Sequence, residues 1–157
     1  MPRQLPITQF MTSPVITVGP QTTVEEAVKL FAEAGVGGAP VVDDEGRLVG
    51  LLDDDDLLAG ETRLHGPTTI ELFGAYLTLP GERRRFEQDL RHALAQTVAD
   101  VMDPEPAALG TDAVLEDAAT VIIDRRVAHV PVVDADRRVV GIVTRGDLVK
   151  ALYREGG

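Results

Sequence analysis

Apolar and polar positions along this chain follow two periods, one near 3.6 residues and one of two, and the same order of periods occurs twice. Residues 22–35, TTVEEAVKLFAEAG, place Val24, Ala27, Val28 and Phe31 at the i, i+3, i+4, i+7 spacing of a helix with one buried face. Thr22 and Glu25 stand at capping-box spacing at its start. Two short β-branched runs follow, APVVD (39–43) and RLVGLL (47–52), joined by the turn DDEG (43–46). A second helix is predicted from near Asp53. The series then recurs: Leu115, Ala118, Ala119 and Ile122 on a helix, VPVVD and RVVGIV parted by ADR, and a last helix from near Thr144. Each pass reads as short strand, helix, strand, strand, helix.

Sliding the chain against itself by 91 residues makes the recurrence exact in register. Pro40 falls on Pro131, Asp43 on Asp134, Gly50 on Gly141 and Asp56 on Asp147, and 14 of the 52 pairs from Ile7/Val98 to Leu58/Val149 are identical. This is a duplication. One copy is too small to bury its own faces, whereas two packed together give one plausible core.

The alignment also bears on GLLDDDDLL, where Asp53, Asp54, Asp55 and Asp56 suggest a hard-cation site. Adjacent side chains diverge, so four neighbours rarely converge on one ion. Asp53 aligns with Thr144, both where a strand hands over to a helix, and both are good N-cap residues. An acidic first turn suits the positive end of the helix dipole. The run therefore reads as a cap with an acidic first turn rather than a dedicated metal site.

Composition narrows the class. The chain has 157 residues, 44% hydrophobic and 26% charged, with aromatics at only 4%, so aliphatic side chains must fill the core. Without cysteine there is no disulfide, thiolate zinc site or cysteine nucleophile. A net charge of −11 argues against a surface built for nucleic acid, although a local pocket can differ in sign from the whole. The opening MPRQLPITQF has no signal-like apolar core and no run reaches membrane-span length, so the expectation is a cytoplasmic protein.

The helix, the PVVD strand and the Gly-apolar-apolar-x-x-x-Asp ending, present twice at constant offset and with Thr144 at its fourth place in the second copy, resemble a tandem pair of CBS domains, a Bateman module. The resemblance covers residues 7–59 and 98–152. It implies an α/β fold of the α+β type, two βαββα repeats packed through their sheets with a helical insert between them. The expected divisions are 1–59, 60–97 and 98–157. The resemblance further implies a homodimer and clefts that bind adenosine compounds: AMP, ADP, ATP or S-adenosylmethionine.

The residues of GIVTRGDL fit that implication chemically. Gly141 would let backbone approach a ligand, and Ile142 and Val143 would wall a flat base. Thr144 lies at a helix N-terminus, where free N–H groups favour phosphate. Asp147, one turn later, points to the same side and can accept two bonds from ribose hydroxyls. Arg145 has the reach for phosphate oxygens. By resemblance the base would lie against His129, Val130 and Pro131, with Ala107 and Ala108 completing the cleft, and Ala39, Pro40 and Asp56 hold the same places in the first copy. Each residue also has a plain structural reading: Thr144 as a cap, Asp147 and Arg145 as solvated helix residues, His129 as a strand residue. In the first copy Asp53 replaces the threonine and no cation replaces Arg145. That cleft is expected to disfavour phosphate, accepting adenosine, S-adenosylmethionine or an Mg²⁺-shielded polyphosphate, or standing empty.

In the insert, ERRRFEQDLRHALAQ aligns Phe86, Leu90, Ala93 and Leu94 on one helix face, introduced by Pro80 and Gly81. TIELFGAYLTL reads as a shorter helix or an extended cover. Arg83, Arg84 and Arg85 form the one basic cluster, either a solvated face beside Glu82 and Glu87 or a contact for a partner subunit or phosphate.

The leading expectation is a stand-alone regulatory module, not an enzyme, that needs no cofactor and acts through an unknown effector protein. The alternatives are a metal-dependent hydrolase built on Asp53–Asp56 and a structural dimer with decayed clefts. The sequence has no HExxH, GxxxxGK[ST] or GxSxG to favour catalysis.

Overall fold

The computed structural model describes residues 4–57, 69–72, 75–78 and 80–156. Helix α1 (Val24–Ala34) buries Val24, Ala27 and Phe31 and ends at Gly35, whose φ of 67° needs no Cβ accommodation. Its cap is one residue later than the spacing predicts. The Thr23 hydroxyl accepts the Glu26 N–H at 3.1 Å and the Glu26 carboxylate accepts the Thr23 N–H at 3.2 Å. Thr22 instead accepts the N–H of Gly19. Val28, expected on the buried face, is 42% exposed.

Strands β1 (Gly38–Val42) and β2 (Leu48–Asp53) form an antiparallel hairpin in which Ala39 faces Leu52 and Gly38 faces Asp53. A helical turn at 54–57 follows. The Asp43 of PVVD closes the hairpin: its Oδ1 accepts the N–H groups of Glu45 and Arg47, both at 2.9 Å. Asp134 does the same for Asp136 and Arg138. A short polar side chain bonding its own turn explains why both copies carry aspartate there.

The insert contributes an antiparallel pair, β3 (Thr69–Leu72) and β4 (Ala75–Thr78), then α2 (Pro80–Ala95). The described parts of TIELFGAYLTL thus take its extended alternative, so the described insert holds a strand pair as well as a helix. Leu90, Ala93 and Leu94 are half-buried, and the side chains of Arg83–Arg85 and Phe86 lie outside the described residues. Helix α3 (Val98–Val101) opens the second copy. After it come β5 (Leu109–Gly110), α4 (Leu115–Arg125), β6 (His129–Val133), β7 (Val139–Thr144) and α5 (Arg145–Gly156). Strand β6 pairs antiparallel with β7 and parallel with β5.

The copies exchange their lead-ins. Ile7 is buried among Leu115, Ile122, Val130 and Val143 of the second copy, while Val98 is buried among Ala27, Phe31, Val41 and Leu52 of the first. Thr12 bridges Ile142 and Asp103 bridges Leu51, which is one contact in its two 91-residue-related forms. Each lead-in brings a methionine over the glycine of a Val-Gly strand: Met11 onto Gly141 and Met102 onto Gly50. A Cβ at either glycine would run into the methionine sulfur. The repeats are therefore linked by mutual insertion as well as by contact.

The hairpins meet where Arg47 bridges Arg138, positions that are themselves 91 apart, so a pseudo-twofold axis passes there. Leu48 N–H donates to the Arg137 carbonyl at 3.0 Å and Val139 N–H to that of Gly46 at 3.1 Å. Pro40, Leu51, Pro131 and Ile142 are buried yet belong to neither repeat's core cluster. Strand alternation turns them to the opposite face from Ala39, Val41, Val130 and Val132, where one sheet packs on the other.

Candidate functional site

The end of each hairpin meets the start of its helix by the same reciprocal bond. In the second copy the Thr144 hydroxyl accepts the Asp147 N–H at 3.1 Å, and the Asp147 carboxylate accepts the Thr144 N–H at 3.0 Å. In the first, Asp53 accepts the Asp56 N–H at 3.2 Å and Asp56 accepts the Asp53 N–H at 3.0 Å. Both are capping boxes. Within the aspartate run, Asp53 and Asp56 therefore cap each other. Oxygens of Asp53, Asp54 and Asp55 can lie within 4.8 Å of one another, with Asp54 and Asp55 exposed.

The exchanged lead-ins make the two ends chemically different. Thr12 donates its hydroxyl to Asp147, at 3.1 Å to Oδ2 and 3.3 Å to Oδ1. The residue 91 later is Asp103, and its bridge to Leu51 sets a carboxylate near Asp56. Asp56 is pushed up to about 6, chiefly by burial; the bond from the Asp53 N–H opposes the rise, and repulsion from Asp53, Asp103 and Asp55 adds to it. Thr12 and Met11 carry no motif that announces a role. Only the offset alignment hints at them, because Met11 recurs as Met102.

The strand ends of the two copies face each other across the axis. Gly38 and His129 are equivalent positions, and the His129 ring occupies the space a Gly38 side chain would need, since a Cβ there would lie 2.7 Å from ring atoms. A Cβ on Gly37 would meet both the Asp54 carboxylate, at 3.1 Å, and the His129 ring, at 3.7 Å. Burial pulls the His129 pKa down, against the pull of Asp53 and Asp54. Its Nδ1 is buried without a partner among the described residues. The ring is therefore neutral at pH 7, with one polar atom unsatisfied.

Of the residues singled out from sequence, Thr144, Arg145, Asp147 and His129 converge on this one strand end, and Asp53, Asp54 and Gly38 join them from the other copy. Arg145 is exposed, its Nε donating to the Val127 carbonyl at 3.3 Å. Ala108 precedes β5 and, since Leu109 pairs with Val132, lies level with Pro131. Two expectations change. Val130, Val143 and Ala39 are buried in the repeat cores, and Pro40, Pro131 and Ile142 in the sheet interface, so their side chains serve packing, and after His129 the next residues of β6 offer a ligand only backbone. Gly141 accommodates Met11 rather than a ligand.

Among the described residues no helix is long and apolar enough to cross a membrane. The CBS domain family model matches residues 7–61 and 98–154. The chain is 35% identical over 150 residues to the CBS domain-containing protein CBSX1 of Arabidopsis thaliana, described as chloroplastic, covering 91% of this chain and 62% of that one. It therefore spans about three fifths of that relative's length. It is 30% identical over 152 residues to an uncharacterized protein of Methanocaldococcus jannaschii, MJ1426, covering 93% and 90% of the two chains. Its fold is similar to that of A. thaliana CBSX2 crystallised with AMP, with a TM-score of 0.74 and 30% identity over 98% of this chain and 99% of the other. By fold, repeat and sequence, this chain belongs to the CBS domain family and carries the domain twice.

Proposed function

We propose that the chain is a regulatory module that binds an adenosine nucleotide, AMP or ATP, at the second strand end and signals through an effector protein. The observation that carries this reading is the state of Asp147. Its carboxylate is fixed by the Thr144 N–H, and its Oδ1 has only the long Thr12 hydroxyl contact, so a ribose diol can take that place. Thr144 and Arg145 stand beside it for phosphate, His129 and the backbone of Val130 and Pro131 line the base position, and Ala108 closes the side. The similarity to a CBS pair crystallised with AMP supports the ligand class.

The first strand end is the weaker site. Two charges ~4 Å apart interact by about 1 kcal/mol in water and several times that when partly buried. Asp53 and Asp103 in place of Thr144 and Thr12 therefore cost a phosphorylated ligand two or more kcal/mol, about 30-fold in affinity. Asp56 keeps the diol-binding place, and Ala39 and Pro40 the base position, which suits a ligand without phosphate or one whose phosphates carry Mg²⁺. Regulation follows only if nucleotide binds two states of the module differently.

The apolar residues Val28 on α1, Ile123 on α4, and Val149, Leu152 and Tyr153 on α5 are exposed in the single chain. Their burial against a second copy is the assembly we propose, a homodimer, and a sedimentation mass near 16.8 kDa would exclude it. Calorimetry with AMP and with ATP, with and without Mg²⁺, tests the module itself. Saturable binding without turnover supports it, turnover favours a hydrolase, and no heat at either cleft leaves a structural dimer.

A further inference from the structure

A second cavity, of about 360 Å³, lies between the first lead-in and α5. Its size falls within the range of small-molecule sites. Phe10 and Met11 supply an apolar floor continuous with the second repeat's core. Lys150 and Arg154 line it from α5, four residues apart and therefore on one helix face. Both are exposed, and among the described residues neither forms an ion pair. Asp147 is the one carboxylate in the lining, and it is engaged by the Thr144 N–H and the Thr12 hydroxyl.

The cavity is thus locally cationic in a chain of net charge −11. The duplication supplies an internal control. At the positions 91 residues away, Asp100 stands for Gln9, Asp103 for Thr12 and Ala59 for Lys150, while Arg63 keeps the charge of Arg154, so the first copy carries a more acidic version of these positions. Lys150, and with it the pairing of two cations on this wall, is specific to one copy and is not needed to fold the repeat.

We propose that this cavity binds a small amphipathic anion, its carboxylate or phosphate held by Lys150 and Arg154 and its short apolar body lying on Phe10 and Met11. Arg154 offers a planar fork to the oxyanion and Lys150 a point charge. Because Thr12 and Asp147 form a shared wall with the proposed nucleotide site, an occupant here alters the hydroxyl that Asp147 holds. The site itself does not depend on the nucleotide reading.

The test uses the whole chain without nucleotide. The Met11 methyl resonance is followed while phenyl phosphate, hexanoate, acetate and hexanol are titrated. Phenyl phosphate and hexanoate are expected to shift it saturably at millimolar concentration or below, and acetate and hexanol to bind at least about ten-fold more weakly. Lys150→Glu/Arg154→Glu, changed at exposed positions, is expected to keep its melting temperature and weaken the anions about ten-fold or more. Equal binding to that variant, or no saturable shift, overturns the proposal. So does one-for-one displacement of the probe by AMP, since the cavity would then be part of the nucleotide cleft. Failure of AMP to bind, with the Met11 response intact, sinks the nucleotide reading and leaves this one standing.

Discussion

The two strand-to-helix junctions share a backbone and differ in charge. At the second, Thr144 caps, Asp147 answers, and Thr12 donates a hydroxyl from the exchanged lead-in. At the first, Asp53 caps, Asp56 answers, and the lead-in supplies Asp103, so that burial and repulsion together hold the Asp56 pKa near 6. The same geometry is therefore relaxed in one half and electrostatically loaded in the other. The lesson is that a duplicated fold keeps its hydrogen-bond frame and is free to change sign at the residues around it.

The largest expected effect probes what the halves share. Gly141→Ala and Gly50→Ala each drive a Cβ into a methionine, and overpacking against a fixed lead-in is expected to cost about 3 kcal/mol by chemical denaturation. Adding Met11→Ala to Gly141→Ala should recover part of that loss, whereas Met102→Ala should not. Equal rescue by both would show that the exchange of lead-ins is not what makes glycine necessary.

The next effect breaks the symmetry. Asp147→Ala is expected to weaken AMP by about 2 kcal/mol or more in calorimetry, roughly 30-fold, while Asp56→Ala leaves the tighter phase nearly intact. Reversed or equal losses would refute the ranking of the two clefts. Asp53→Thr/Asp103→Thr gives the first junction the second's chemistry and should raise its affinity for AMP. If instead an Mg²⁺-dependent ATP phase disappears in Asp53→Thr, the aspartate run is a cation site.

A smaller effect sharpens the charge difference. Asp56 binds its proton more tightly when folded, about 6 against an ordinary 3.8. Between those values the folded state holds more protons, so this residue's contribution favours folding at acid pH and is lost as pH rises from about 4 to about 6. With half the side chain open to water, screening limits the loss to about 1 kcal/mol. Wild type should therefore lose about that much relative to Asp56→Asn between pH 4 and pH 7, and matching pH profiles would remove Asp56 from the account.

The smallest effect comes from the backbone. Gly35 and Gly46 take φ of 67° and 81°, and their counterparts Arg126 and Arg137 take 54° and 68° with a Cβ present. Arg126→Gly and Arg137→Gly should each stabilise the second repeat, by about 0.5–1 kcal/mol in melting or denaturant experiments.

Sequence alone determined the duplication, the βαββα order and the N-cap at each strand-to-helix junction, because these depend on residues a few positions apart whose periods survive in one dimension. Asp53 reads as a cap beside Thr144 for the same reason. Local reading slips by one residue at Thr23 and puts the exposed Val28 inside, since a helix's absolute phase is set by what covers it. The tertiary structure alone decided the exchange of lead-ins, and with it the partners of Gly141, Asp147 and Asp56. Thr12 and Asp147 are 135 residues apart, and nothing in either neighbourhood names the other. It also decided that Val130 and Val143 face the core while His129 rests on Gly38, because a strand's two faces are alike in pattern until a second sheet chooses one to bury.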